Sequence, residues 1–187
     1  MRVLLPFVIG LLALPAQTRA AENVPLSPFR AVELHGGGSI ILVPSSVQRI
    51  ALEEGSSQIT RFRVDQEGKL VIDACSRQCP PAYRLRMRIE TPQLLGIGVN
   101  GGGMITAGNG FAPQKSLGVA VKGGGKIDVR SIDVGNVGAS VSGGGAILVT
   151  ARRSLAAAVN GGGEIRYSGN PAVTMAINGG GNVSRSN

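Results

Sequence analysis

Hydrophobic and polar positions alternate along most of this chain, and the alternation is broken at recurring places by three consecutive glycines. The recurring phrase is an aliphatic residue, a small polar or basic residue, three glycines, any residue and another aliphatic. It is plainest in Val99-Asn100-Gly101-Gly102-Gly103-Met104-Ile105, and its triads return as Gly123-Gly124-Gly125, Gly143-Gly144-Gly145, Gly161-Gly162-Gly163 and Gly179-Gly180-Gly181. An outlying copy is Leu34-His35-Gly36-Gly37-Gly38-Ser39-Ile40. From Gly101 onward the triads begin 22, 20, 18 and 18 residues apart, a period that suits a repeat fold in which each turn of chain stacks on the one before. The predicted fold class is all-β: a right-handed parallel β-solenoid with the glycine triads at its turns. Lacking a Cβ, glycine takes positive φ at little steric cost and lets successive corners stack at the strand spacing of about 4.8 Å. Eighteen of the 29 glycines sit in the six triads, so their placement is positional. Aliphatic residues frame every triad, which argues against a flexible glycine linker.

The repeat half supplies strands such as Gly118-Val119-Ala120-Val121 and Ala156-Ala157-Ala158-Val159 before a triad, and Lys126-Ile127-Asp128-Val129 and Ala146-Ile147-Leu148-Val149 after one. Asn100, Asn160 and Asn178 occupy equivalent points, and stacked turns would bring such amides together as a short ladder satisfying buried polar groups. His35, Lys122 and Ser142 interrupt that series. Residues 29–43 alternate on both sides of the first triad, and short strands follow at 48–52, 58–64 and 69–74, separated by turn-forming stretches. These N-terminal strands are expected to form a mixed or antiparallel cap. Next, Tyr83-Arg84-Leu85-Arg86-Met87-Arg88-Ile89 alternates strictly. Period two sets Arg84, Arg86 and Arg88 on one face, and Arg61 and Arg63 are spaced likewise. The stripe is a candidate anion site. Its bland counterpart is a solvated face paired with Glu53, Glu67 or Glu90.

Residues 1–20 have the pattern of a secretory signal peptide: Arg2, an apolar stretch over 3–14 interrupted by Pro6, and a cleavage site near Ala20. The apolar stretch is too short and broken for a membrane span, so the expected location is periplasmic or secreted. A leader over 21–28 and one domain over 29–187 complete the expected organisation. The formal charge is +8, and +6 without Arg2 and Arg19. Residues 21–96 hold nine basic and eight acidic side chains, whereas residues 97–187 hold eight and three. The basic repeat half, with Lys122 and Lys126 flanking one triad, could attract an anionic glycan or lipopolysaccharide; the alternative is that the charge serves only solubility. Cys75 and Cys79, close together before Pro80 and Pro81, read as a local disulfide in an oxidising compartment. A redox C-x-x-C at a helix start does not fit their spacing.

Catalytic and cofactor patterns are missing. His35 stands in the slot that asparagine holds elsewhere, and no G-x-S-x-G surrounds a serine. Gly125-Lys126-Ile127 lacks the spacing and the Ser/Thr of a phosphate loop. Neither a metal nor a cofactor is expected, and nor is nucleic acid, given the scarcity of aromatic stacking platforms. The enzyme alternative is a polysaccharide-degrading β-helix, which needs clustered carboxylates. The repeat half offers Asp128, Asp133 and Glu164, with Asp128 and Glu164 in non-adjacent repeats.

The strand with Phe29-Arg30-Ala31-Val32, the strands and turns up to Ile72, the phrase Ile89-Glu90-Thr91-Pro92-Gln93-Leu94 and the glycine-centred repeats together resemble the auto-transporter adhesin head GIN domain family. The resemblance spans residues 29–187 and lies in order and spacing. Where members usually carry serine-glycine-alanine-serine-like turns, this chain has glycine triads. The resemblance implies an exported β-solenoid with an adhesive role and supplies no catalytic residues. The expected function is therefore a non-catalytic envelope binding module. A self-assembling structural element, forming a homo-oligomer, is the other alternative.

Overall fold

The computed structural model describes residues 21–76 and 78–186. It is all-β, with fifteen strands hydrogen-bonded into one curled sheet and no helix among the described residues. The proposed signal segment, residues 1–20, lies outside the described residues.

In chain order, the N-terminal part contains β1 (Glu22–Asn23), β2 (Ala31–His35), β3 (Ser39–Pro44), β4 (Arg49–Glu54), β5 (Arg61–Val64), β6 (Lys69–Asp73) and β7 (Arg86–Thr91). The repeats contain β8 (Gly96–Asn100), β9 (Met104–Ala107), β10 (Gln114–Gly123), β11 (Lys126–Gly143), β12 (Ala146–Asn160), β13 (Glu164–Ser168), β14 (Ala172–Asn178) and β15 (Asn182–Arg185). Each triad separates a strand before it from a strand after it. Successive repeats pair parallel, with matching positions opposite one another.

Because period two sends alternate side chains inward, parallel pairing in register stacks like upon like. After each triad, Ile40, Ile105, Ile127, Ile147 and Ile165 form one row, each at most 1% exposed. Before each triad, Leu34, Val99, Val121, Val141 and Val159 form another buried row. Full burial of each such side chain contributes about 1.5–3 kcal/mol, which makes these rows the main source of cohesion. The polar row of His35, Asn100, Lys122, Ser142, Asn160 and Asn178 is also in register. From Asn100 onward its members are solvent-exposed, so the expected amide ladder satisfies no buried groups. The residues before the triads alternate outward while their aliphatic neighbours point in.

The N-terminal part is more than a cap. Strands β2 and β3 pair parallel with β8 and β9, adding a layer of the same kind. On their other side β6 pairs parallel with β2, and β7 with β3. A layer later in the chain thus lies outside an earlier one. The antiparallel part expected from the sequence is β5 on β6 and β4 on β7, with β1 on β4. In this outer layer residues 74–76 and 78–85 stand in the place of the triad, and they include the disulfide joining Cys75 and Cys79, whose Cα atoms are 5.9 Å apart.

The three glycines of a triad are not equivalent. At Gly143 φ is +116° and a Cβ would stand 2.7 Å from the Gly123 carbonyl oxygen. At Gly145 a Cβ would stand 2.5 Å from both the Gly125 carbonyl oxygen and Val121 Cγ1. Nothing lies within 4 Å of a Cβ at Gly144. Gly144→Ala is therefore expected to change stability by less than about 1 kcal/mol. Gly145→Ala should cost about 1–3 kcal/mol, because backbone on one side cannot give way. Urea unfolding of the two variants checks this, and equal effects would contradict it.

Candidate functional site

Where residues 74–76 and 78–85 stand in place of a triad, the corner does not stack on Gly37 of the next layer as the glycine corners do. A cleft of about 840 Å³ opens there, lined also by Arg61, Glu54, Asp73, Tyr83, Arg84 and Arg86. The arginines are placed by alternation around a fixed point. Leu85 is 4% exposed, and its carbonyl accepts a hydrogen bond from the Ser39 N–H at 2.8 Å. A Cβ at Gly38 would come within 2.8 Å of Leu85 Cβ, so glycine there admits Leu85. With Leu85 turned in, Arg84 and Arg86 point out on either side of it.

The far wall is pinned by Tyr83. Its hydroxyl lies 2.7 Å from Thr60 Oγ1 and accepts from the Ser56 N–H at 2.9 Å, while Thr60 Oγ1 donates to the Ala74 carbonyl at 2.9 Å. This links the turn before β5, the end of β6 and the disulfide loop, and it sets Arg61 on the cleft.

Most arginines with an acid in reach are bonded to it. Arg88 donates to Glu53 at 3.0 Å, Arg63 to Asp73 at 3.3 Å, Arg130 to Asp128 at 2.7 Å and Arg152 to Asp133 at 2.6 Å. Arg166 donates to Glu164. Arg61, Arg84 and Arg86 have no such partner among the described residues. Of the cleft's two carboxylates, Asp73 is held by Arg63 and by His35 Nδ1 at 3.0 Å, and Glu54, although opposite Arg86 in register, makes no ion pair among the described residues. The cleft is accordingly electropositive.

The sequence-predicted stripe is thus divided. Arg84 and Arg86 meet Arg61 in the cleft, whereas Arg88 takes the structural role of pairing with Glu53. Lys122 and Lys126 flank the triad two layers away, opposite Asn100 and Met104. At the strand spacing that is roughly 10 Å along the same corner edge. Gly36, Gly37, Gly38 and Tyr83 were not among the predicted site residues. The signal that marks them is Asp73 and Arg86 lying opposite His35 and Ser39, which only the pairing reveals.

Beside the cleft, Glu33 contacts Lys69 Nζ and His35 Nε2, each at 2.9 Å. Burial alone would raise the Glu33 carboxyl, but the hydrogen bonds and charges of Lys69 and His35 outweigh it and hold it below its ordinary value. Asp128 is likewise held low, chiefly by its hydrogen bonds to Arg130.

Layered all-β architecture, an electropositive cleft at one end and arginine-held carboxylates elsewhere characterise the domain. Residues 113–171 match the model of the family described as "Putative auto-transporter adhesin, head GIN domain", and the resemblance read from the sequence is borne out over that segment. A protein described as a putative adhesin from Bacteroides fragilis NCTC 9343 has a similar crystal structure. The TM-score is 0.56 at 19% identity, covering 92% of this chain and 99% of that one, a likeness that shows the fold. Another so described, from Parabacteroides distasonis ATCC 8503, gives a TM-score of 0.45 at 15% identity, covering 89% and 96%. No curated protein matches the chain.

A carboxyl held low in the folded chain contributes stability that is complete above its unfolded value and is lost as pH falls through its folded value. For Glu33 the ordinary value is 4.5. Lys69→Met is expected to be less stable than the parent at pH 7, with the gap closing in acid once Glu33 is protonated. Urea midpoints measured from neutral to acid pH check this, and a gap independent of pH would contradict it.

Proposed function

We propose that this chain is an exported, non-catalytic adhesion module whose cleft binds anionic groups of a surface glycan or lipopolysaccharide. The carrying observation is the convergence of Arg61, Arg84 and Arg86 on one cleft without carboxylate partners. Guanidinium groups in this state are free to make bidentate bonds to carboxylate, sulfate or phosphate. Lys122 and Lys126 extend the basic edge, which suits a polymer longer than the cleft.

The adhesin description of the matching family supports a role at the cell surface or beyond. No helix among the described residues is long and apolar enough to cross a membrane, and the pattern of residues 1–20 fits export to the periplasm or beyond. Parallel, in-register repeats support the right-handed β-solenoid reading for the single domain over 29–187, since parallel crossovers favour that hand. The non-catalytic reading is supported by the engagement of Asp128, Asp133 and Glu164 with Arg130, Arg152 and Arg166. An acid/base pair for sugar cleavage would need carboxylates free to exchange protons.

Binding to immobilised lipopolysaccharide and to polygalacturonate, with neutral dextran as control, tests the proposal. Affinity should fall steeply as salt is raised, since exposed charges are screened. Replacing Arg61, Arg84 and Arg86 together with alanine should weaken binding by about tenfold or more, and Lys122→Ala with Lys126→Ala by less. Affinity unchanged by loss of the three arginines would overturn the assignment of the cleft.

A further inference from the structure

The two ends of the layered stack are finished differently. At the N-terminal end β5 covers β6 and β4 covers β7, both antiparallel. At the other end, among the described residues, β14 pairs only with β12, and β15 only with β13. The inward rows continue into this last layer, where Val173, Met175 and Ile177 stand opposite Leu155, Ala157 and Val159, and Val183 opposite Ile165. In the preceding layer Leu155, Val159 and Ile165 are buried, but Met175 is 50% and Ile177 43% exposed. The core therefore runs out through this end.

The backbone is open as well. The Asn178 carbonyl accepts from the Gly161 N–H at 2.8 Å and so points back into the stack. In a parallel ladder, successive residues direct their N–H and C=O groups to opposite sides. By that alternation Val173, Met175 and Ile177 present theirs outward, on the same residues whose side chains are uncovered.

We infer that this end docks a second copy of the chain, terminal layer against terminal layer about a two-fold axis. Three observations select that occupant. The surface offers an unpaired ladder together with an apolar row, and the same end of another copy offers both. From Ala172 onward Arg185 is the one charged residue in a chain of formal charge +8, so two such ends meet with little repulsion. The opposite end is edged by the antiparallel strands β5 and β1 and carries the exposed Arg49, Arg61 and Arg63, so contact there would bring like charges together. Contact between like ends closes the assembly at two chains, whereas unlike ends would propagate a filament. Strand β14, seven residues long, pairs antiparallel with its copy and joins the two curled sheets.

Sedimentation equilibrium of the purified full chain over a range of concentrations tests this. The average mass should rise from one chain to two and stop there. Met175→Lys and Ile177→Lys, each placing a charge in the apolar row, should raise the dissociation constant at least about tenfold, while Arg61→Ala at the far end leaves it unchanged. Both sites are half-exposed, so the fold is expected to survive, as thermal unfolding of the dilute variants will show. Hydrogen exchange on the parent chain gives a readout independent of any variant: the Met175 and Ile177 amides should gain protection as concentration rises. A mass of one chain up to about millimolar concentration, growth beyond two chains, or dimers indifferent to both lysine substitutions would each overturn the inference.

Discussion

Backbone lies against backbone at each glycine corner, and the rest of the fold is arranged around that approach. A Cβ on Gly101, Gly123, Gly143, Gly161 or Gly179 would stand within 2.8 Å of the carbonyl oxygen of the preceding triad's first glycine. Neighbouring corners are thus as close as peptide units can come. That closeness sets one spacing for every layer, and the strands on either side of each corner inherit it. Inward isoleucines and valines then stack without offset, as do the outward polar residues. The third glycine of each triad serves the same end, leaving room for an aliphatic side chain from the preceding layer.

The cleft exists because one corner departs from this rule. In the outermost layer no glycine triad stands at the corner; Ala74 lies against Gly36 and Leu85 against Gly38, and the described residues between them line the cleft. Space opens where other layers have contact, and the alternation that buries Leu85 leaves Arg84 and Arg86 facing into it. The disulfide and the hydrogen bonds of Tyr83 hold the wall in place. Arg63, Arg88, Arg130, Arg152 and Arg166 are each held by an acid, whereas at this corner three guanidinium groups without a carboxylate partner among the described residues line one cleft.

Polarity along the stack follows from the same construction. Repetition by itself leaves an open ladder at both ends. At one end the chain folds back, β5 and β4 meet the exposed edges antiparallel, and charged residues decorate the outside. At the other end identical stacking continues to the last described layer, so apolar positions that are buried in every earlier layer become accessible. An end with converging arginines and an end with accessible apolar positions are thereby separated along one body.

Sequence periodicity was enough to establish the all-β class, the parallel stacking of like positions and the inward and outward faces of each strand. These depend on local rules: side chains alternate along a strand, and glycine alone tolerates the corner conformation. The pairing of Cys75 with Cys79 was also legible, because their separation leaves little choice. Three features were decided by tertiary structure. The layer formed by β6 and β7 sits outside that of β2 and β3 although it comes later in the chain, because strand pairing is non-local and no short motif encodes its order. Arg88 was indistinguishable from Arg84 and Arg86 in an alternating strand until Glu53, far away in sequence, was brought beside it. The asparagines preceding the triads looked like buried ladder residues, but the stack turns them to solvent, where repetition alone could not say which face would be covered.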